Sequence, residues 1–171
     1  LFFMIFCLIM TACNQTESND DNSVLNGQYV EKSKDGLITL IGNFENGKRQ
    51  GQFMYFDTKG KLETQENYLD DNLHNTQITV HNTGKINKSI NYTNGIKDGP
   101  YTIYYKTGKL QETGSYKNGE KDGEIIWYYD SGQQNIVYTY QDGQLNGPTK
   151  EFSKEGVLIK EGSYLNGEKK D

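Results

Sequence analysis

The residue types able to carry chemistry are few here, and their spacing does not suit it. His74 and His81 stand seven residues apart, with no cysteine and no fixed carboxylate at ligand spacing. Zinc takes three or four closely set ligands, so both histidines read as surface residues. Asp70-Asp71-Asn72 lacks the alternating acids and central glycine of a calcium loop. It reads instead as a turn in which Asp replaces Asn-Gly. Ser115 and Ser131 sit in no Gly-x-Ser-x-Gly elbow. Gly95 and Gly99 are not followed by the Lys-Ser/Thr of a phosphate loop. The expectation is a chain with no catalytic residue, no metal site and no cofactor.

Cys13 is different, because of what precedes it. Residues 1–12 (LFFMIFCLIMTA) are apolar but for Thr11 and carry no charge. The run is too short to span a bilayer and suits the apolar segment of a secretory signal. Leu1 in place of Met, and the missing charged start, point to a truncated or misassigned beginning. Met10-Thr11-Ala12-Cys13 resembles a bacterial lipobox, which implies cleavage before Cys13 and lipid on it. Cys7 would leave with the signal, so neither cysteine remains for a disulfide. Residues 13–26 then form a lipidated cysteine and a polar, disordered tether. Asn14 after the cysteine, by resemblance to Gram-negative sorting rules, favours the outer membrane. The expected location is exported and lipid-anchored to the cell envelope, with the bacterial membrane as one partner.

Composition narrows the remainder. The 171 residues carry a net charge of −5 and include 19 glycines, 13 tyrosines and two prolines. Without a Lys/Arg block, a net-acidic chain is a poor nucleic-acid binder, so no nucleic-acid partner is expected. The one alanine is Ala12. The chain beyond it is rich in Thr, Ile and Tyr, which favour strands.

The glycines mark a repeat. Counting in 24s from Gly27 as slot 1 gives six repeats over 27–170 without insertion. Slot 10 is glycine in all six, and slots 1 and 21 in five each. The exceptions are Asn75 and Asp71, the residue types most tolerant of positive φ. Slot 16 is glycine three times, at Gly42, Gly114 and Gly162, with room for a slot-18 ring as the suggested reason. Slot 18 is always Phe or Tyr, from Phe44 to Tyr164. Slots 20–21 read Asn-Gly or Asp-Gly in five of six repeats, the strongest short hairpin signal. Slots 8–10 suit a three-residue loop ending in a left-handed glycine, which sets slot 6 opposite slot 12. Simple alternation then places slots 4, 6, 12, 16 and 18 on one sheet face.

These features define the fold class: all-β, an elongated, twisted antiparallel meander of six 24-residue hairpin repeats, residues 27–171. The motif Tyr116-Lys117-Asn118-Gly119-Glu120-Lys121-Asp122-Gly123, with Tyr104-Tyr105-Lys106-Thr107-Gly108-Lys109-Leu110, resembles the MORN-repeat variant family of exported bacterial proteins. The resemblance implies twelve strands running ~55–60 Å at the usual strand spacing. It also implies a non-catalytic role, and some relatives carry antitoxin-like or immunity labels. Phosphoinositide binding, discussed for the original MORN repeats, is not carried over, because the body holds 18 basic against 20 acidic residues.

One feature exceeds what the repeat needs. The odd slots of repeats 4 and 5 are Tyr101, Ile103 and Tyr105, then Ile125, Trp127 and Tyr129, around a polar furrow of Gln111, Thr113 and Ser115. They read either as an aromatic patch that binds an unknown protein partner, or a glycan, or as a second packed face of a spacer.

Overall fold

The computed structural model describes residues 24–170, so residues 1–12, Cys13 and the tether up to residue 23 lie outside the described residues. All the regular structure described is β-strand. The strands form one antiparallel meander from Gly27–Lys32 to Glu168–Lys170, each bonded to its neighbours in chain order. Sixteen strands result because slot 24 interrupts some of them, as Gln50 does between Lys48–Arg49 and Gly51–Phe56. Elsewhere the same stretch stays whole, as in Ile96–Tyr104.

The turns form as the sequence dictates. Asn118 and Gly119 have φ of 51° and 92°, the two positive angles of a type I′ turn, whose twist matches that of the strands it joins. Asp70-Asp71 makes the same turn at 49° and 68°. There Asp71 Oδ1 accepts the backbone N–H of Arg49 at 2.9 Å and its Nε at 3.1 Å. At the other end of each hairpin the slot-10 glycine N–H donates to the slot-7 carbonyl, as Gly108 to Tyr105 at 2.8 Å. Phe56↔Leu62, Val80↔Ile86, Tyr104↔Leu110 and Phe152↔Leu158 pair across the hairpins as expected. Asn75 holds slot 1 at φ 64°. Asn75→Gly is therefore expected to raise stability by about 0.5–1 kcal/mol, read from the urea midpoint at unchanged slope.

Simple alternation fails at one place. The register slips between slots 5 and 6 in every hairpin, for example at Trp127/Tyr128, because slot 13 is bulged out of the second strand. One extra residue inverts every side chain beyond it. Slots 14, 16 and 18 therefore join slots 1, 3 and 5 on one face, which we call the core face. Slots 2, 4, 6, 12, 15 and 17 form the second face. The expected grouping of slots 16 and 18 with slots 4, 6 and 12 is thus corrected.

The same inversion explains slot 16. Across neighbouring repeats it meets slot 3, as Ile90↔Tyr101 and Tyr138↔Thr149. A Cβ on Gly42 would lie 2.2 Å from the Phe53 ring, and one on Gly114 would lie 2.2 Å from Ile125 Cδ1. The glycine makes room for the slot-3 side chain of the next repeat, not for a slot-18 ring.

Repeats are joined in three recurring ways. In all six, the slot-21 N–H donates to a slot-23 carbonyl one strand pair earlier, at 2.7–3.1 Å. The first of these acceptors is Leu25. Asn26 Oδ1 accepts the Asn46 N–H at 2.7 Å, so Leu25 and Asn26, read from sequence as tether, already keep the repeat register. On the loop side, slot-7 side chains reach the slot-6 carbonyl of the next repeat. His81 Nε2 donates to Tyr104 O at 2.9 Å, and the Tyr105 and Tyr129 hydroxyls donate to Tyr128 O and Phe152 O at 2.6 and 2.9 Å.

Candidate functional site

The proposed aromatic patch does not assemble as one exposed surface. Tyr101 and Ile125 are 2% and 0% exposed and form the buried core with Ile90. Ile103 and Trp127 are half-buried against that core. Tyr105 and Tyr129 lie in the loops, where their hydroxyls strap one repeat to the next. Thr113 and Ser115, of the supposed furrow, lie on the opposite face, and Gln111 is the bulge. The bulge is the physical reason: it turns slots 3 and 5 onto the face that the slot-18 tyrosines already occupy. Tyr101, Ile103, Ile125 and Trp127 thus sit on the core face, packed with the slot-18 tyrosines.

What the core face does hold is a polar centre under aromatic cover. Glu112, on Leu110–Lys117, stands opposite both Ile103 and Trp127 in the ladder. Its Oε1 accepts the Tyr101 hydroxyl and, at 2.7 Å, Lys121 Nζ. Lys121 lies 4.9 Å from the Trp127 ring centre and 5.8 Å from those of Tyr101 and Tyr140. Burial, and then the hydrogen bond to Glu112, raise the Tyr101 hydroxyl far above its usual range. Burial likewise raises Tyr92, Tyr116 and Tyr140. These phenols stay protonated, and a single Glu112 oxygen accepts from both Tyr101 and Lys121. The shared Glu112 Oε1 fixes the Tyr101 and Lys121 side chains over the core face.

The centre is one instance of a rule that sequence reasoning missed. Slot 23 carries Arg49, Lys97 and Lys121, and each cation sits over the slot-18 ring of the following repeat. Arg49 is 3.9 Å from the Tyr68 ring centre and Lys97 is 4.9 Å from that of Tyr116. Leu73, Leu145 and Lys169 hold slot 23 in the other repeats, and Leu25 takes the equivalent place ahead of the first. Tabulating slot 23 beside slot 18 would have exposed the pairing. Rings also meet edge-on along this face, from Tyr29 through Phe44 and Phe53 to Tyr68.

The second face is uncovered by any other layer among the described residues. Its slots 4, 6 and 12 make an apolar line, with Val30, Ile38, Ile86 and Leu158 exposed. His74 stands at slot 24, where Asn26 and Gln50 accept the N–H that begins the next Asx-x turn. Its own Nδ1 is buried without a partner among the described residues.

Comparison with known families bears on two of the six repeats. The model described as "MORN repeat variant" matches residues 97–118 and 145–166. The two windows start 48 residues apart, two 24-residue steps, and both run from slot 23 to slot 20. Two of the six repeats thus match the MORN repeat variant family, and the same 24-residue pattern runs through the rest of 27–170. One matched unit begins on Lys97, which stacks over the Tyr116 ring, and the other on Leu145; both end on the first residue of the type I′ turn. The MORN family is a non-catalytic interaction repeat. No curated protein matches the chain. A solved GtfA/B complex bound to UDP and GlcNAc aligns at 13% identity with a TM-score of 0.29, over 67% of this chain. This chain spans only 22% of that one, and at that TM-score the likeness carries neither fold nor function.

Proposed function

We propose that this chain is an exported, non-catalytic platform for protein–protein contact, held at the cell envelope, on the outer membrane, by lipid on Cys13. The observation that carries the reading is the single-layered sheet. Its core face is closed by its own rings, while the apolar line of the second face stays open to a partner. An immunity or antitoxin-like role is the finer form of this proposal. A glycan platform is less favoured, because the Trp127 ring lies under Lys121 and edges Tyr138 at 5.7 Å. A structural spacer is the second reading, favoured by the burial of Tyr101 and Ile125.

Crosslinking in native envelopes followed by mass spectrometry tests the platform. A partner attached through second-face or edge residues is expected; products confined to the chain itself would leave the spacer. For the anchor, Cys13→Ala should abolish metabolic palmitate labelling and release the protein from membranes. Unchanged labelling would sink that part.

A further inference from the structure

Repeats 2–4 differ from their neighbours on the second face and on the loop edge beside it. Their second-face slots hold no charged residue, whereas Lys32, Glu124, Lys150 and Glu161 occupy such slots in repeats 1, 5 and 6. Slots 6 and 12 make the apolar line here: Phe56, Leu62, Val80, Ile86, Tyr104 and Leu110. Beside it, the loops at slots 7–11 carry Lys59, Lys61, Lys85, Lys106 and Lys109 against Asp57 alone. The bulged Glu63 is the one other acid at this edge of the three repeats. Over the same loop slots, repeats 1 and 6 are balanced and repeat 5 carries only Asp130. The loop edge is also open at one junction. Lys85 and Lys109 donate to Thr107 O and Asp130 O of the next loop, beside the straps from His81 and Tyr105. Between repeats 2 and 3, slot 7 is Asp57, whose carboxylate accepts and cannot donate. Its Oδ1 takes the Lys59 and Lys61 N–H groups at 2.8 and 2.9 Å. A cleft of about 440 Å³ opens there, lined among others by Leu62, Val80, Lys61, His81 and Asn82.

We propose that the second face of repeats 2–4 docks an acidic amphipathic helix of a partner protein. One large apolar side chain of the helix enters the cleft, and its acidic flank follows the lysine rim. An uncharged apolar floor with a basic border on one side is complementary to such a segment, and the charges orient it. The strands of repeats 2–4 are already paired on both sides, so the segment lies on the face and does not join an edge. The spacing suits a helix. One repeat advances two strands, ~9.6 Å, and seven helical residues rise ~10.5 Å. Apolar residues one heptad apart therefore meet the apolar line in successive repeats, as in other helix-on-groove contacts. A second copy is disfavoured as the occupant. Laid so that the two apolar lines meet, it would set one lysine rim against the other, and like charges oppose docking. The inference rests on the platform reading and adds the place and the partner chemistry.

The probe is a capped, labelled peptide of two heptads, LEQLLEQLEQLLEQ, with its basic counterpart LKQLLKQLKQLLKQ as control. Each is titrated by fluorescence anisotropy into the purified full chain in detergent. The acidic peptide is expected to bind saturably, more weakly as salt rises, and the basic one not to bind. Ile86→Glu should weaken the acidic peptide about tenfold or more, by placing a like charge on the apolar line. Ile86 is 43% exposed, so this variant should keep its thermal transition. Should it unfold instead, Lys59→Glu with Lys61→Glu carries the test, since both side chains lie exposed in a loop. That pair should weaken the acidic peptide about tenfold or more and admit the basic one. No binding by the acidic peptide, equal affinity for the two peptides, or sedimentation showing a second copy closed over this face would overturn the proposal. Vesicles of anionic lipid that take the face and exclude the peptide would do the same. A native partner crosslinked only at repeats 5 and 6 would remove this site and leave the platform. The expected peptide preferences with no native partner in envelopes would keep the site and remove the platform.

Discussion

Phe53→Ala is expected to destabilise the domain by about 3–5 kcal/mol, the usual range for truncating a buried aromatic. Phe53 is 1% exposed and meets Phe44 and Tyr68 edge-on at 5.4 and 5.2 Å. Its ring lies where a side chain on Gly42 would be. Gly42→Ala alone should cost about 1–3 kcal/mol through overpacking. In the Phe53→Ala background the same change should be close to neutral, because the new methyl enters vacated space. Urea unfolding of the four proteins closes the cycle. Additive costs would mean that the two positions do not share one volume, and the slot-16/slot-3 rule would fall with them.

Lys121→Met should cost about 1–3 kcal/mol. Glu112 is 13% exposed in its side chain and Lys121 28%, so removing the ammonium strands a mostly covered carboxylate. The figure sits below that of a fully buried pair because water still reaches Lys121. Met keeps the apolar stem over the rings, so the loss reports charge and not packing. Adding Glu112→Gln should recover part of it, since a neutral amide still accepts from Tyr101. Equal instability of the single and double variants, measured by denaturant titration, would show that the pair is no more than a surface contact.

The local devices of this fold were legible because each is decided within a few residues. Asn118-Gly119 names its own turn, and Gly108 its own loop. Asp71 and Asn75 were recognisable as substitutes for glycine because few other side chains tolerate the left-handed region. Six copies in one phase turned weak signals into a firm one. The candidate site was not legible in the same way. Tyr101, Ile103, Ile125 and Trp127 looked like a separate aromatic face because alternation was carried straight past slot 13. Nothing in Thr39, Glu63, Asn87, Gln111, Asn135 or Ile159 announces a bulge. It arises from closing a loop with a left-handed glycine while the slot-6/slot-12 pair stays in register. Glu112 and Lys121 were invisible as partners, since their pairing needs the turn between them and the rings around them.

The sequence by itself determined the repeat, its period, its turns and the all-β meander, because these depend on backbone preferences local to each 24-residue unit. Tertiary structure alone decided which face became the core. That choice depends on the parity of two strands after a single bulged residue, and on which neighbouring repeat fills each slot-16 space. Tyr101 and Ile125 therefore ended inside.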